Sequence, residues 1–227
     1  MPVATTEYAA AIAHLPPAAV LRLDNVSWEE YEQLLADLGP TYAVRIFYDQ
    51  GRMEIMGPSA AHEKPKTIMA RLINAVSDEL DLDIESLGST TFRSQLKAKG
   101  AEPDDCFFVQ NADLIIGNEI EEYDLESMPP PDIAVEVDRT NASLNKFVIY
   151  AGLGVPELWR IHKREVHIYL LSGDDYSEVT NSRAFPFLTG LVLSEFLALG
   201  IKQGGRKACR AFRTWIREHH QGPVQTE

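Results

Sequence analysis

The segment from Pro130 to Asp138 constrains the fold of this chain more than any other part of the sequence. It reads Pro-Pro-Asp-Ile-Ala-Val-Glu-Val-Asp, a pattern typical of a buried β-strand that follows a stiff proline turn and carries Glu136 between two valines. Burying a carboxylate is costly unless a metal ion or a cation compensates its charge. The strand therefore predicts a chemical site as well as a place in the core.

Length and composition favour one soluble domain. A chain of 227 residues with 45% hydrophobic and 24% charged residues can bury one sizeable core, so we expect a single domain over residues 1–227. The sequence has neither an apolar run long enough to span a membrane nor a signal-like N-terminal segment, which predicts a cytoplasmic protein with no membrane partner. Cys106 and Cys209 are too few for a disulfide framework and have no zinc-site spacing.

The apolar pattern predicts strands and helices interspersed along the chain, which indicates an α/β protein. Ser27 to Glu30 fits a helix capping box, Asp49 to Gly51 fits a tight hairpin, and residues 61–80 repeat apolar side chains at helical spacing. Lys99 and Gly100 are predicted to form a turn. Further strands are expected at 42–48, 52–56, 83–87, 90–95, 104–110, 132–137, 157–161 and 165–171, and further helices at 141–153 and 205–219.

Charge is segregated along the chain. The formal net charge of −13 argues against a nucleic-acid partner, because phosphate contacts need cations. Acids crowd residues 119–126, whereas the predicted C-terminal helix is basic, so this helix is either a solvated face or a surface that follows a phosphate backbone. The cations of residues 202–217 are Lys202, Arg206, Lys207, Arg210, Arg213 and Arg217, and we take Arg206, Arg210 and Arg213 as candidate nucleic-acid contacts.

Three residues carry the parts needed for metal-assisted phosphodiester hydrolysis. Asp104 begins one predicted strand, Glu136 lies inside a second, and Lys146 follows on a predicted helix. Two carboxylates can hold a hard divalent cation, Mg²⁺ or Mn²⁺, which lowers the pKa of a bound water. A lysine can position or activate that water and balance the phosphate charge. Asp104 and Glu136 are therefore candidate metal ligands, and all three residues are candidate catalytic groups.

These motifs resemble a known family. The segments 100–104 (Gly-Ala-Glu-Pro-Asp) and 131–137 (Pro-Asp-Ile-Ala-Val-Glu-Val), with Lys146, Tyr150 and residues 154–159 (Gly-Val-Pro-Glu-Leu-Trp), are similar to the Uma-two family of restriction endonucleases, in the PD-(D/E)xK nuclease superfamily. The resemblance runs from about residue 42 to 171. It includes the entry into the first core helix at residues 57–62.

The resemblance implies a restriction-endonuclease-like core at about 42–171, in which a central mixed sheet is flanked by helices. We also expect an N-terminal helix and hairpin, and a helical extension with a basic helix at about 190–220. The resemblance also implies that Asp104 and Glu136 are the two acids of the family motif. The general superfamily pattern has a lysine two residues after the second acid, where this chain has Asp138. Lys146 matches the position of a lysine on the following helix.

Each candidate also has a structural interpretation. Asp104 could be a strand-start carboxylate bonded to backbone amides, and Lys146 could be a solvent-facing helix lysine. Glu63 could be a third acid of the site or a charge favoured by the helix dipole. His62 opens the same helix, and Asp132 could close a turn or contact the metal.

The sequence thus predicts a metal-dependent endonuclease acting on DNA. One alternative is a catalytically idle nucleic-acid-binding or dimerisation module with the same fold. Another is a phosphohydrolase with a different substrate, because fold alone does not set the substrate. A homodimer is a further expectation, since many nucleases cut duplexes as symmetric dimers.

Overall fold

The structure is a computed structural model that describes residues 5–39, 42, 44–57, 59–120, 122–138 and 144–220. Its helices are α1 (Thr5–Ala13), α2 (Trp28–Leu38), α3 (Ala60–Leu80), α4 (Lys146–Leu153), α5 (Gly190–Gln203) and α6 (Gly205–His219). Its strands are β1 (Val20–Asp24), β2 (Arg45–Asp49), β3 (Arg52–Met56), β4 (Phe92–Ser94), β5 (Lys99–Ala101), β6 (Asp105–Phe107), β7 (Ile133–Asp138), β8 (Glu157–His162), β9 (Glu165–Ser172) and β10 (Asp175–Val179).

The strands form two five-stranded sheets. The first sheet has the order β1-β3-β2-β5-β4, and the second has the order β10-β9-β8-β7-β6. The second sheet is mixed, since β7 and β8 are parallel and its other pairs are antiparallel. Among the described helices, none is both long and apolar enough to cross a membrane.

Local sequence signals account for several elements. Ser27 accepts the backbone N–H of Glu30 at 3.2 Å, and the Glu30 carboxylate accepts that of Ser27 at 2.8 Å, so the predicted capping box starts α2. The β2–β3 hairpin turns through Gln50 and Gly51, both with positive φ, as a two-residue hairpin turn requires. Asn145 caps α4 by accepting the backbone N–H of Phe147 at 3.1 Å.

Three apolar clusters define the layers. One joins the outer face of the first sheet to α1 and α2, and a second joins α3, α5 and α6 to one face of the second sheet. The third lies around α4, which is thereby placed between the two sheets. Successive β7 residues serve different layers, since Val135 packs with α3, α5 and α6 whereas Ala134 packs with α4.

Some elements differ from the sequence prediction. Lys99 and Gly100 do not form a turn but belong to β5. The Lys99 ammonium is paired with Asp49 at 2.6 Å, and this pairing compensates the charge of a lysine in a buried strand. The predicted strand at 83–87 is reduced to a single bridge at Glu85. Elements α1, β1 and β10 were not anticipated by the sequence pattern. The predicted helix start at 141–143 lies outside the described residues, and α4 begins at Lys146.

Candidate active site

Glu136 lies on the face of β7 that is directed at α4. Its neighbours Val135 and Val137 face the opposite layer, formed with α3, α5 and α6. Since side chains of a strand alternate between its two faces, Glu136 must enter the layer between the sheets. Its side chain is only 1% exposed there.

Two side chains of α4 donate to the Glu136 carboxylate. Lys146 donates from Nζ to Oε2 at 2.5 Å, and Tyr150 donates its hydroxyl to Oε1. The Lys146 ammonium also lies 4.1 Å from the ring centre of Phe47 in β2, within the range of a cation–π contact. Sequence reasoning singles out Lys146 but gives Tyr150 no role, although its position one helical turn later is the signal that could have found it.

Asp104 reaches the same place from the neighbouring strand. In the antiparallel pair of β6 and β7, Asp105 is opposite Val135, so one step further in that register places Asp104 opposite Glu136. Asp104 Oδ2 accepts the backbone N–H of Val137 at 2.8 Å. This bond is of the kind that the structural interpretation of Asp104 expects, and it also holds the carboxylate beside Glu136. We call Asp104, Glu136 and Lys146 the acid–lysine centre.

Burial and charge shift the pKa values of this centre. Burial raises the pKa of Glu136 to about 7; the Lys146 ammonium counters part of this rise, and the charges of Asp104 and Asp138 add to it. Burial alone would lower the pKa of Lys146, but the same three carboxylates outweigh it, so that pKa is raised. Burial also raises the pKa of Tyr150. Lys146 is therefore an ammonium and Tyr150 a neutral hydroxyl donor near neutral pH.

A second cation borders the centre. Asp138, two residues beyond Glu136, accepts bonds from Nε and Nη2 of Arg160, both at 2.6 Å and both on Oδ2. Arg160 lies in β8 directly beside Glu136 in the parallel register, and its guanidinium is 4.7 Å from the ring centre of Phe147 in α4. No signal along the sequence points to Arg160, because its partner depends on the register of β7 with β8.

Burial of an acid does not by itself distinguish Glu136 in this protein. Glu102 is also 1% exposed and accepts one backbone N–H and two hydroxyls. Glu157, 1% exposed as well, accepts two backbone N–H groups and an indole N–H. Glu136 differs because a lysine and a tyrosine on one helix donate to it while a second carboxylate lies opposite. The composition of its surroundings is therefore the signal of a site.

Asp132 has a structural role in this fold. Its Oδ2 accepts the backbone N–H groups of Val109, Gln110 and Asn111 at 2.7, 3.0 and 3.2 Å, and its Oδ1 accepts the Asn111 amide at 3.1 Å. The side chain closes the turn after β6. Of the two interpretations given above, the geometry supports the turn.

His62 and Glu63 lie in the first turn of α3. His62 is buried, with its Nδ1 2.9 Å from the hydroxyl of Ser59. Glu63 borders a cavity of about 390 Å³ with Lys64, Arg71 and the glycines that connect α5 to α6. In the described part of the chain, no three His, Cys, Asp or Glu side chains are grouped to hold a metal ion, so neither residue completes a three-ligand set with Asp104 and Glu136.

The two acids of the centre nevertheless suit Mg²⁺. This cation prefers oxygen ligands, keeps several waters, and is commonly bound through only one or two carboxylates plus substrate phosphates. Of the two carboxylate oxygens of Asp104, Oδ2 accepts the Val137 N–H, and no described residue donates to Oδ1. A carboxylate has about four lone-pair positions, so the Glu136 oxygens can also accept further partners beside Lys146 and Tyr150. Asp104 and Glu136 could thus hold such an ion.

The candidate nucleic-acid contacts lie on another surface. Arg206, Arg210 and Arg213 border a cleft of about 580 Å³ between α6 and α3, together with Arg71. Arg213 donates to two carboxylates of α3 at 2.5 and 3.2 Å, whereas the other three arginines form no ion pair with any described residue. Since α6 packs on the face of the second sheet that Glu136 does not occupy, this basic cleft is separated from the acid–lysine centre by the sheet.

The mixed second sheet, with α3, α5 and α6 on one face and α4 on the other, matches a restriction-endonuclease-like nuclease fold. Residues 28–202 match the Uma2 family, described as "Putative restriction endonuclease". The chain belongs to this family.

Comparison with solved structures agrees on the fold. The chain is similar to the crystal structure of a "putative nuclease belonging to DUF820" from Anabaena variabilis ATCC 29413, with 16% sequence identity and a TM-score of 0.50. The match covers 74% of this chain and 97% of that one. No curated protein matches this chain.

Proposed function

We propose that this protein is an endonuclease that hydrolyses DNA phosphodiester bonds with Mg²⁺ or Mn²⁺ at the acid–lysine centre. The observation that carries the proposal is that Asp104, directly before β6, lies opposite Glu136 of β7, and that the ammonium of Lys146 is 2.5 Å from the Glu136 carboxylate. Membership of a family described as "Putative restriction endonuclease" supports the same reaction class.

In this proposal the two carboxylates hold the cation through oxygen ligands. A divalent cation bound there would polarise the phosphoryl group and lower the pKa of a coordinated water. Asp104 and Glu136 repel each other without a cation, which contributes to the raised pKa of Glu136. Tyr150 keeps the Glu136 carboxylate oriented by donating its hydroxyl.

Lys146 has an electrostatic role. Its raised pKa keeps it protonated, so it cannot serve readily as the proton acceptor for the attacking water. An ammonium beside the two acids can instead orient that water and stabilise negative charge that develops on the phosphate. Lys146 is 8% exposed, and the low-polarity surroundings strengthen such an interaction.

DNA is the proposed substrate, and the basic cleft is its proposed second contact. Three arginines of that cleft have no ion-pair partner in the described structure, which suits a phosphate backbone despite the net charge of −13. The two cysteines are both free, as is usual in the cytoplasm, where we place this activity. Cutting both strands of a duplex would require two such centres, which a homodimer would supply.

The proposal is tested by cleavage and metal binding. Wild-type protein should nick or cut plasmid, linear duplex or single-stranded DNA with Mg²⁺ or Mn²⁺. Asp104→Asn, Glu136→Gln and Lys146→Ala should each lower the rate by roughly 10²-fold or more, the scale of a lost charge-stabilising group. Calorimetric Mg²⁺ titration should lose its signal in Asp104→Asn and Glu136→Gln but keep it in Lys146→Ala.

A matched control separates chemistry from folding. Glu195→Gln removes an exposed acid of α5, so it should retain the wild-type rate. Circular dichroism should show the same helix content for all variants. If wild-type protein binds DNA but cuts none of these substrates with either metal, the nuclease proposal is wrong. The catalytically idle nucleic-acid-binding module would then be the better proposal.

A further inference from the structure

Arg160 is held rigidly and still has donors to offer. Both of its bonds go to Oδ2 of Asp138, through Nε and Nη2, and Phe147 supports the plane of the guanidinium at 4.7 Å. A guanidinium has five N–H donors, so three are not used by Asp138. The Arg160 side chain is 31% exposed, whereas Lys146 is 8% exposed. Of these two cations, Arg160 is therefore the one that an incoming ligand can reach more easily.

The arrangement around Arg160 repeats that of Lys146. Each cation lies over a phenylalanine ring and binds a carboxylate of β7, Lys146 on Glu136 and Arg160 on Asp138. These carboxylates are two residues apart on one face of the strand, so the cations are neighbours. If Arg160 only neutralised Asp138, a pair as buried as that of Lys146 with Glu136 would suffice.

The charge of this face calls for such a cation. Asp104, Glu136 and Asp138 place three carboxylates on one face of the second sheet, and Lys146 and Arg160 are the described cations that bind two of them. A guanidinium fixed by a carboxylate and an aromatic ring loses little freedom when it binds, and it can give two parallel bonds to phosphate oxygens. The free-energy cost of ordering this side chain on binding is therefore lower than that of a mobile surface lysine.

We infer that Arg160, positioned by Asp138 and Phe147, binds a backbone phosphate of the nucleic acid next to the one that is cleaved. This inference rests on the proposed function for the location of the cleaved bond, but the contact itself is a binding property. Arg160 would lower the KM and the dissociation constant more than it raises kcat, since it does not touch the reacting atoms.

The test compares Arg160→Met with the double variant Asp138→Asn/Arg160→Met. Binding of a short labelled DNA duplex is followed by fluorescence anisotropy in EDTA, where no cleavage occurs, at several salt concentrations. Arg160→Met should weaken binding roughly tenfold or more, the scale of a charge-assisted hydrogen bond, and should lower the salt slope by about 0.9. With Mg²⁺, KM should rise by a similar factor while kcat changes little.

The double variant distinguishes a phosphate contact from internal neutralisation. It leaves position 138 without an unpaired charge, so it should fold even if Arg160→Met does not, and it should still bind DNA more weakly than wild type. The matched control is Arg52→Met, which removes an arginine bonded at 2.6 Å to the buried Asp49 in the other sheet. That variant should bind like wild type.

Three results would overturn the inference. They are wild-type binding by the double variant, unchanged binding and salt slope in Arg160→Met, and wild-type protein that binds no nucleic acid. Binding that depends on Arg160 in a protein that never cuts DNA would support the phosphate contact and refute the nuclease proposal. Cleavage with an unchanged KM in the double variant would support the nuclease proposal and refute the phosphate contact.

Discussion

Glu136 and Glu102 are both buried carboxylates, and the donors around them differ in kind. Glu102 accepts the backbone N–H of Ile46 at 2.9 Å, together with the hydroxyls of Tyr42 and Thr91. The Ile46 bond joins the segment before Asp104 to β2, and Thr91 lies directly before β4. Glu136 instead faces a cation and another acid. At the residue scale, Glu102 supports the frame of the site, while Glu136 belongs to the proposed chemistry.

Glu102 should make the stability of the fold depend on pH. Burial raises its pKa in the folded protein to about 7, although its hydrogen bonds oppose the rise. In the unfolded chain the pKa of a glutamate is about 4.3. Between these values the folded state binds more protons than the unfolded state, so this group's contribution to the free energy of unfolding decreases as the pH rises toward 7.

Glu102→Gln removes that titration. The stability of wild type relative to Glu102→Gln should therefore fall as the pH rises from about 4.3 to 7, by up to about 1.4 kcal/mol per pH unit, and should level off above it. Urea unfolding of both proteins across this range measures the difference. Two parallel stability curves would show that Glu102 has the same pKa in the folded and unfolded states.

At the scale of elements, α4 organises the site. Its side chains Lys146 and Tyr150 donate to Glu136 of the second sheet. Its C-terminal part, at Gly152, packs against Lys99 of the first sheet. Gly154 ends the helix with φ +82°, a left-handed conformation that favours glycine. Gly152 allows a close approach, because a Cβ there would be 2.2 Å from Cδ of the buried Lys99.

Gly152→Ala should destabilise the protein even though alanine is the better helix former. Intrinsic propensity favours the substitution by about 1 kcal/mol, but the new methyl group must displace Lys99 from its pair with Asp49. Overpacking of this kind costs about 1–3 kcal/mol. We expect a net loss of stability in urea unfolding.

The control for Gly152→Ala lies on the same helix. Val148 is 45% exposed, and Val148→Ala should change stability by less than about 0.5 kcal/mol. A Gly152→Ala variant that is more stable than wild type would show that Lys99 can move aside without cost.

At the scale of the whole molecule, the acid–lysine centre and the basic cleft lie on opposite faces of the second sheet. The acid–lysine centre lies between the second sheet and α4, and the basic cleft lies between α3 and α6. A nucleic acid that contacts both must pass around the edge of the sheet. The cleft should therefore matter for long substrates and not for the chemical step.

Arg206→Glu with Arg210→Glu should weaken binding to long duplex DNA and reduce its salt dependence, without changing kcat at saturating substrate. Arg213 is left in place, because it and Arg217 bind Glu79 of α3 and hold α6 to the core. Anisotropy titrations at several salt concentrations provide the measurement.

The control for this prediction is Lys202→Glu with Lys207→Glu, which changes the net charge equally at exposed positions near the same helix. It should weaken binding less than the arginine variant. Equal effects of the two variants would mean that overall charge, and not the cleft, controls binding, and an unchanged salt slope in both would make α6 a solvated surface.

Much of the architecture follows from local sequence. Side-chain periodicity and capping residues predict α2, the β2–β3 hairpin, α3, β7 and α6 with small errors at their ends, because these signals act between residues close in the chain. The same local patterns place Glu136 in a buried strand and Lys146 on the helix after it. They also carry the family resemblance, which the match over residues 28–202 confirms.

Only the tertiary structure decides which of these residues meet. The register of β6 with β7 places Asp104 opposite Glu136, and that of β7 with β8 brings Arg160 to Asp138. Pairing of β5 with β2 and β4 likewise places Lys99 in a strand and not in a turn. Strand register and the face that a helix covers depend on segments far apart in the chain, so no local pattern can specify them.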